Sequence, residues 1–191
     1  MNFAELKSKI EIAAKQAFQE MFKKHGKEGI CAFALCCDEG AWVVAPATNT
    51  TKHLEKTLVA DKHGDLAYKY CPPEWGYECE GADELFDEIC DLCRNEALEI
   101  CRDKYLHQLM GQEKEDFEKF QTQLFETCIE VLEKLKSENF FKQIVGEDIL
   151  LLFDVSDYDF SKEKYSEIVT RLNDNEIRNE CLDWIKGWGR R

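Results

Sequence analysis

Apolar residues recur at helical spacing from the first positions of the chain. Phe3, Leu6, Ile10, Ala13, Ala17 and Met21 lie three or four apart, which predicts one buried helical face ending near His25-Gly26, where glycine takes the left-handed cap. The pattern then changes: Ile30–Cys37 is continuously apolar and short, as in a strand covered on both faces. Asp38-Glu39-Gly40 supplies a turn and Ala41–Ala45 a returning strand, together a hairpin at the centre of a sheet. Pro46 through Thr51 ends that strand. Asn49, Thr50 or Thr51 can cap a helix carrying Leu54, Leu58 and Val59, which stops around His63-Gly64. Leu66–Tyr70 predicts a short third strand that ends at Cys71, because Pro72-Pro73 removes two donors and fixes φ twice.

Two long helical patterns follow. Leu85, Phe86, Ile89, Cys93, Ala97 and Ile100 mark a helix from Ala82 to about Met110, and Gly111 breaks it. Phe117, Phe120, Leu124, Cys128, Val131 and Leu135 mark the next, from Glu113 to about Glu138; a short connection makes the two antiparallel neighbours. Gly146-Glu147-Asp148 turns into the buried strand "ILLLFDV". Ser161 caps a helix running to Leu172, and Asn173 with Glu176 three places on resembles a capping box for a last helix ending near Gly187. The expectation is an α+β fold: a small, mainly antiparallel sheet packed with helices, including a long antiparallel helix pair, with residues 1–191 as a single domain.

Composition narrows the function classes. The chain has 191 residues, 44% of them apolar and 12 of them Phe, enough for a substantial core. Its net charge of −14 repels phosphate backbones and anionic lipid, which argues against nucleic-acid and membrane binding and would draw a basic protein partner. Met1–Lys24 alternates charged and apolar residues, unlike a signal peptide, and no run reaches the roughly 18 apolar residues of a spanning helix. A cytoplasmic location is expected, and in that compartment the 10 cysteines read as reduced thiols packed as small hydrophobes.

The candidate chemistry is thin. Cys90 and Cys93 sit deep in a helical pattern without a second C-x-x-C, so they read as packed thiols rather than a zinc or redox pair. The side chains of Cys36 and Cys37 point to opposite faces of a strand. Asp157, Asp159 and Ser161 open like a calcium loop, but Lys162 stands where glycine is needed and Ile168 where the closing Glu belongs. Asp83, Asp87 and Asp91 read as a solvated helix face. No histidine lies beside a nucleophile turn, and no phosphate-binding glycine motif occurs, so neither a catalytic set, a cofactor nor a metal site is assigned.

"YKYCPPEWGYECEG" (68–81) remains. Trp75 reads first as a plug on the end of the sheet, with Tyr77 more exposed, and Glu74, Glu78 and Glu80 surround both with negative charge. An aromatic residue ringed by acids on a rigid corner suits a hot spot for a basic partner. The alternative is a small-molecule or enzyme pocket between sheet and helices, formed by Asn49, His53 and Trp75.

The order of features adds a resemblance. An amphipathic first helix, then "CAFALCCDEGAWVVAPATNT", "YKYCPPEWGYE", "LLLFDVSD" and "RLNDNE" resembles the bacterial domain-of-unknown-function family numbered four-three-zero-three. Its proline-containing, Asn-bearing turn is matched by Pro46–Asn49, and its proline and Trp segment by Cys71–Trp75. The resemblance implies a shared fold and transfers no catalytic residue. Small acidic families of this kind are similar in style to immunity proteins of bacterial toxin systems, including the SUKH-type α+β proteins. The leading expectation is therefore a non-enzymatic protein-binding module such as a toxin-neutralising immunity protein.

Overall fold

A computed structural model describes residues 1–60, 66–102 and 104–187. In chain order its elements are α1 (Phe3–His25), β1 (Ile30–Asp38), β2 (Val44–Thr50), α2 (Thr51–Ala60), α3 (Ala67–Tyr70), β3 (Tyr77–Glu78), α4 (Asp83–Cys101), α5 (Gly111–Ser137), α6 (Phe140–Val145), β4 (Leu150–Ser156), α7 (Lys162–Leu172) and α8 (Asn175–Lys186). The fold is α+β. The sheet has the order β3-β2-β1-β4 and is mostly antiparallel, with β4 running parallel to β1 at one edge.

The alternation of side chains on the central strands divides the molecule. Phe33, Leu35 and Cys37 of β1 share a face with Leu151, Phe153 and Val155 of β4. Against that face pack α1, α4 and α5. Here Phe18 of α1 meets Phe33 edge-on at 5.4 Å and Phe141 of α6 at 4.8 Å, each such pair being worth about 1 kcal/mol beyond its burial. The opposite face carries Ala32, Ala34 and Cys36 with Leu150, Leu152 and Asp154, covered by α7, α8 and the Trp75 corner.

Ion pairs report how the helices lie. Met1 and Lys9 reach Glu96 and Glu88, so α4 runs antiparallel to α1; Lys7 and Lys15 reach Glu130 and Glu138, so α5 runs parallel to it. α4 and α5 are accordingly antiparallel, as the sequence pattern indicates. The first turn of α4 takes its cap from α1, since Glu20 accepts the Ala82 N–H at 2.9 Å and that bond holds the Glu20 carboxyl below its usual range.

Several expected boundaries move. The returning strand begins at Val44 rather than Ala41, because the Asp38 carboxylate accepts the N–H groups of Trp42 and Val43 (2.7 and 2.8 Å) and holds a wider turn. Pro46 lies within β2 and does not end it. Its carbonyl accepts from Cys79 N–H on the β3 side, so its missing donor also faces that short edge and costs no bond to β1. Thr50 caps α2 by accepting the His53 N–H; the expected stop at His63-Gly64 lies outside the described residues.

The predicted third strand, Leu66–Tyr70, is the helical turn α3, followed by a 3₁₀ turn over Pro72–Glu74; the strand that pairs with β2 is Tyr77–Glu78. Two consecutive prolines suit a tight turn that asks little of their nitrogens. α4 stops at Cys101, where Arg102 takes a left-handed φ of 49°, so the link to α5 is longer than expected. Ser161 caps α7 as expected. Asn173, however, does not cap α8, which starts from Asp174. Its amide instead pairs with both backbone groups of Leu151 (2.9 and 2.7 Å), standing in for a neighbouring strand along the free side of β4.

Candidate functional site

The proline corner packs its aromatics and exposes its acids. Trp75 is 5% exposed and lies in the second apolar cluster beside Ala47 and Tyr70. Tyr77 is half-buried: its ring stacks on His25 at 3.9 Å and its hydroxyl donates to Glu28 at 3.0 Å, which with burial raises the phenol above its ordinary range. Glu74, Glu78 and Glu80 are exposed.

Asn49, His53 and Trp75 do come together, around the backbone of Gly76. Asn49 is 1% exposed; its oxygen accepts from Thr50 N–H (3.0 Å) and lies 3.5 Å from Gly76 N, while its amide donates to Tyr68 C=O. The His53 ring lies so close that a Cβ on Gly76 would sit 2.9 Å from its Cγ. His53 Nε2 lies 3.3 Å from the Thr57 hydroxyl. The arrangement ties α2 and β2 to the corner. The two clefts described below are lined by other residues.

A surface that periodicity did not point to lies at the β1–β2 turn. Trp42 and Val43 are 42% and 36% exposed, and the Asp38 carboxylate fixes their backbone. The next residue, Val44, holds the Cys90 thiol of α4 through both backbone groups, each at 3.4 Å. Burial pushes the Cys90 thiol up, against smaller opposing effects of the Val44 bond and Arg94 and with Asp87 and Asp38 adding to the rise. Asp83, Glu84, Asp87, Glu88 and Asp91 are all exposed on α4. An exposed tryptophan thus sits on a braced turn that the Val44–Cys90 bonds join to the acid-bearing helix α4. The available signal was "DEGAW", in which an acid able to hold two N–H groups precedes a tryptophan in a glycine turn.

Two clefts open elsewhere. The larger, about 640 Å³, lies between the end of α5, α6, the start of β4 and the α7–α8 junction. Its cations are paired within the protein: Arg171 with Glu126 and Glu133, Lys136 with Asp174, and Lys142 with Asp148. The smaller, about 160 Å³, lies between β4 and helices α7 and α8, with walls of Tyr70, Tyr158, Phe160, Tyr165 and Trp184 and with Asp154 on the strand. Burial raises the Asp154 carboxyl, against a smaller opposing effect from the Val155 N–H.

Burial raises the thiols of Cys36, Cys37 and Cys93, while that of Cys181 is pushed up to about 12. These are packing groups, far from the thiolate form that reacts. Among the described residues no three His, Cys, Asp or Glu side chains are grouped to hold a metal ion, and no helix is long and apolar enough to cross a membrane.

A family model described as Domain of unknown function (DUF4303) matches residues 10–174, and the chain belongs to that family. No curated protein and no solved structure matches the chain.

Proposed function

We propose that this member of the family is a non-enzymatic, cytoplasmic protein-binding module for a basic partner, in the manner of a bacterial toxin-neutralising immunity protein. The observation that carries the reading is the exposed Trp42-Val43 pair on a turn locked by Asp38, beside the carboxylates of α4. A large aromatic side chain held rigidly loses little entropy on docking, and such residues dominate interface energetics. The net charge of −14 speeds encounter with a basic surface and makes it salt-sensitive. The exposed Glu74, Glu78 and Glu80 extend the same sign of charge; Trp75 and Tyr77 shape the corner from inside.

The test is capture of a basic protein from the source cell at low salt, followed by affinity measurement on the purified pair. Trp42→Ala is expected to weaken binding by about tenfold or more, as at a hot spot. A double Asp87→Lys, Asp91→Lys variant is expected to slow association and flatten its salt dependence. Equal binding by both variants and the wild type overturns the assignment of this surface.

A further inference from the structure

We propose that the cleft between β4, α7 and α8 binds an organic ammonium group, held by the rings of Tyr70, Tyr158, Phe160, Tyr165 and Trp184 around the Asp154 carboxylate. The walls are rings in contact with one another, which makes an aromatic lining on which a small cation can rest: Tyr70 and Trp184 are 5.1 Å apart and tilted by 34°, Tyr158 and Phe160 are 5.0 Å apart and edge-on, and Phe160 and Tyr165 are 6.2 Å apart and stacked. Ring faces attract ammonium and guanidinium groups, most strongly where water is excluded.

Asp154 supplies the charge. It sits opposite Cys36 on the sheet face that otherwise carries alanine and leucine, and among the described residues no Lys, Arg or His forms an ion pair with it. Burial already raises its carboxyl, the condition that a bound cation would relieve. The groups around it are the Cys36 thiol on β1, the Tyr165 phenol on α7, Cys71, and the exposed Asp159 of the following loop, while Lys69 beside Tyr70 is occupied by Glu180. Neither an anion nor a metal ion suits this lining: its charged groups are the acids Asp154 and Asp159, and it has rings rather than the six or more oxygens that calcium takes.

Size and place agree with a head group. About 160 Å³ is well below the 300–1,000 Å³ of pockets that enclose a whole drug-sized ligand. The cleft lies towards the carboxyl end of the parallel β1–β4 pair, where α/β sheets commonly present ligands. The larger cleft carries no comparable argument, since its cations are held by carboxylates of the protein and it has no comparable set of rings. The site is independent of the Trp42 surface, which belongs to the α4 side of the sheet.

The experiment is calorimetric titration of the whole chain with choline, with its neutral isostere 3,3-dimethyl-1-butanol, and with a short peptide carrying trimethyllysine. Choline or the peptide is expected to bind and the isostere not to, with binding about tenfold weaker or lost in Asp154→Asn and in Trp184→Leu. Affinity should fall as pH is lowered through the raised Asp154 titration. Binding of choline assigns a small free ammonium compound as the source; binding of the peptide alone assigns a protein side chain. Equal affinity for choline and its isostere, no binding by any of the three, or unchanged cation binding in a folded Asp154→Asn variant overturns the proposal. Trp42→Ala should leave cation binding unchanged and Asp154→Asn should leave partner capture unchanged, so this inference and the protein-binding reading fail separately.

Discussion

The two faces of one sheet are built on different terms. The face towards α1, α4 and α5 is lined by phenylalanine, leucine and isoleucine whose rings interlock, as in the Phe18, Phe33 and Phe141 group. The face towards α7 and α8 has alanines on β1, tyrosines and tryptophans on its cover, and a carboxylate on β4. Small residues on the strands leave room that large rings only partly fill. One face therefore holds the molecule together, while the other keeps an opening whose walls have polar ends.

The strongest test of that contrast is Phe33→Ala, which empties the middle of the aromatic group. A loss of about 3–5 kcal/mol is expected in urea unfolding followed by far-ultraviolet circular dichroism. A loss below 1 kcal/mol would mean that the first face is not the stabilising one. Asn173→Ala should follow, at about 1–3 kcal/mol, because it strips partners from both backbone groups of Leu151. Hydrogen exchange at the Leu151 amide should accelerate with it.

Thr48→Val is expected to act in the opposite direction. The Thr48 hydroxyl is fully buried on the phenylalanine side and has no hydrogen-bond partner among the described residues, so the change should stabilise the protein by about 1 kcal/mol. A destabilised variant would reveal an unseen partner for that hydroxyl.

The smallest effect, and the one that separates the faces by pH, is Asp154→Asn. A carboxyl whose folded pKa is raised contributes stability that is fully present below the unfolded carboxylate range and is lost as pH rises through the raised value. At neutral pH the variant should melt slightly above the wild type, and the gap should vanish in acid. Thermal melts at several pH values check this, and a gap that widens on acidification reverses the sign.

Most of the framework is legible in the pattern of apolar positions. The faces of α1, α5 and α7 follow from three- and four-residue spacing, and β1 and β4 from short apolar runs, because each of these elements has one side or both in the core. Two of the misread boundaries depend on a distant partner. Pro46 continues a strand only because its nitrogen faces the short β3 edge, and Asn173 leaves a capping position because Leu151 has no strand beside it. The candidate surface divides in the same way. Glu74, Glu78 and Glu80 are exposed as charge demands, whereas Trp75 and Trp42 are distinguished by what stands over them, a cluster for one and open water for the other. The aromatic cleft is assembled from α3, β4, α7, α8 and one loop, and no local spacing marks it.

The pairing of β4 with β1 also governs the order of events while the chain folds. It joins positions more than a hundred residues apart, such as Ala32 with Leu150, whereas β1 and β2 form a local hairpin. Closing so long a loop is entropically costly and slow, so β4 is expected to dock after the nearer contacts are made. Until then the run Ile149–Phe153 is an unprotected β-prone segment of the kind that recruits other chains. Asp148 and Asp154 flank it, one at each end. The carboxylate that costs stability in the finished molecule thus stands where a charged gatekeeper of that strand would.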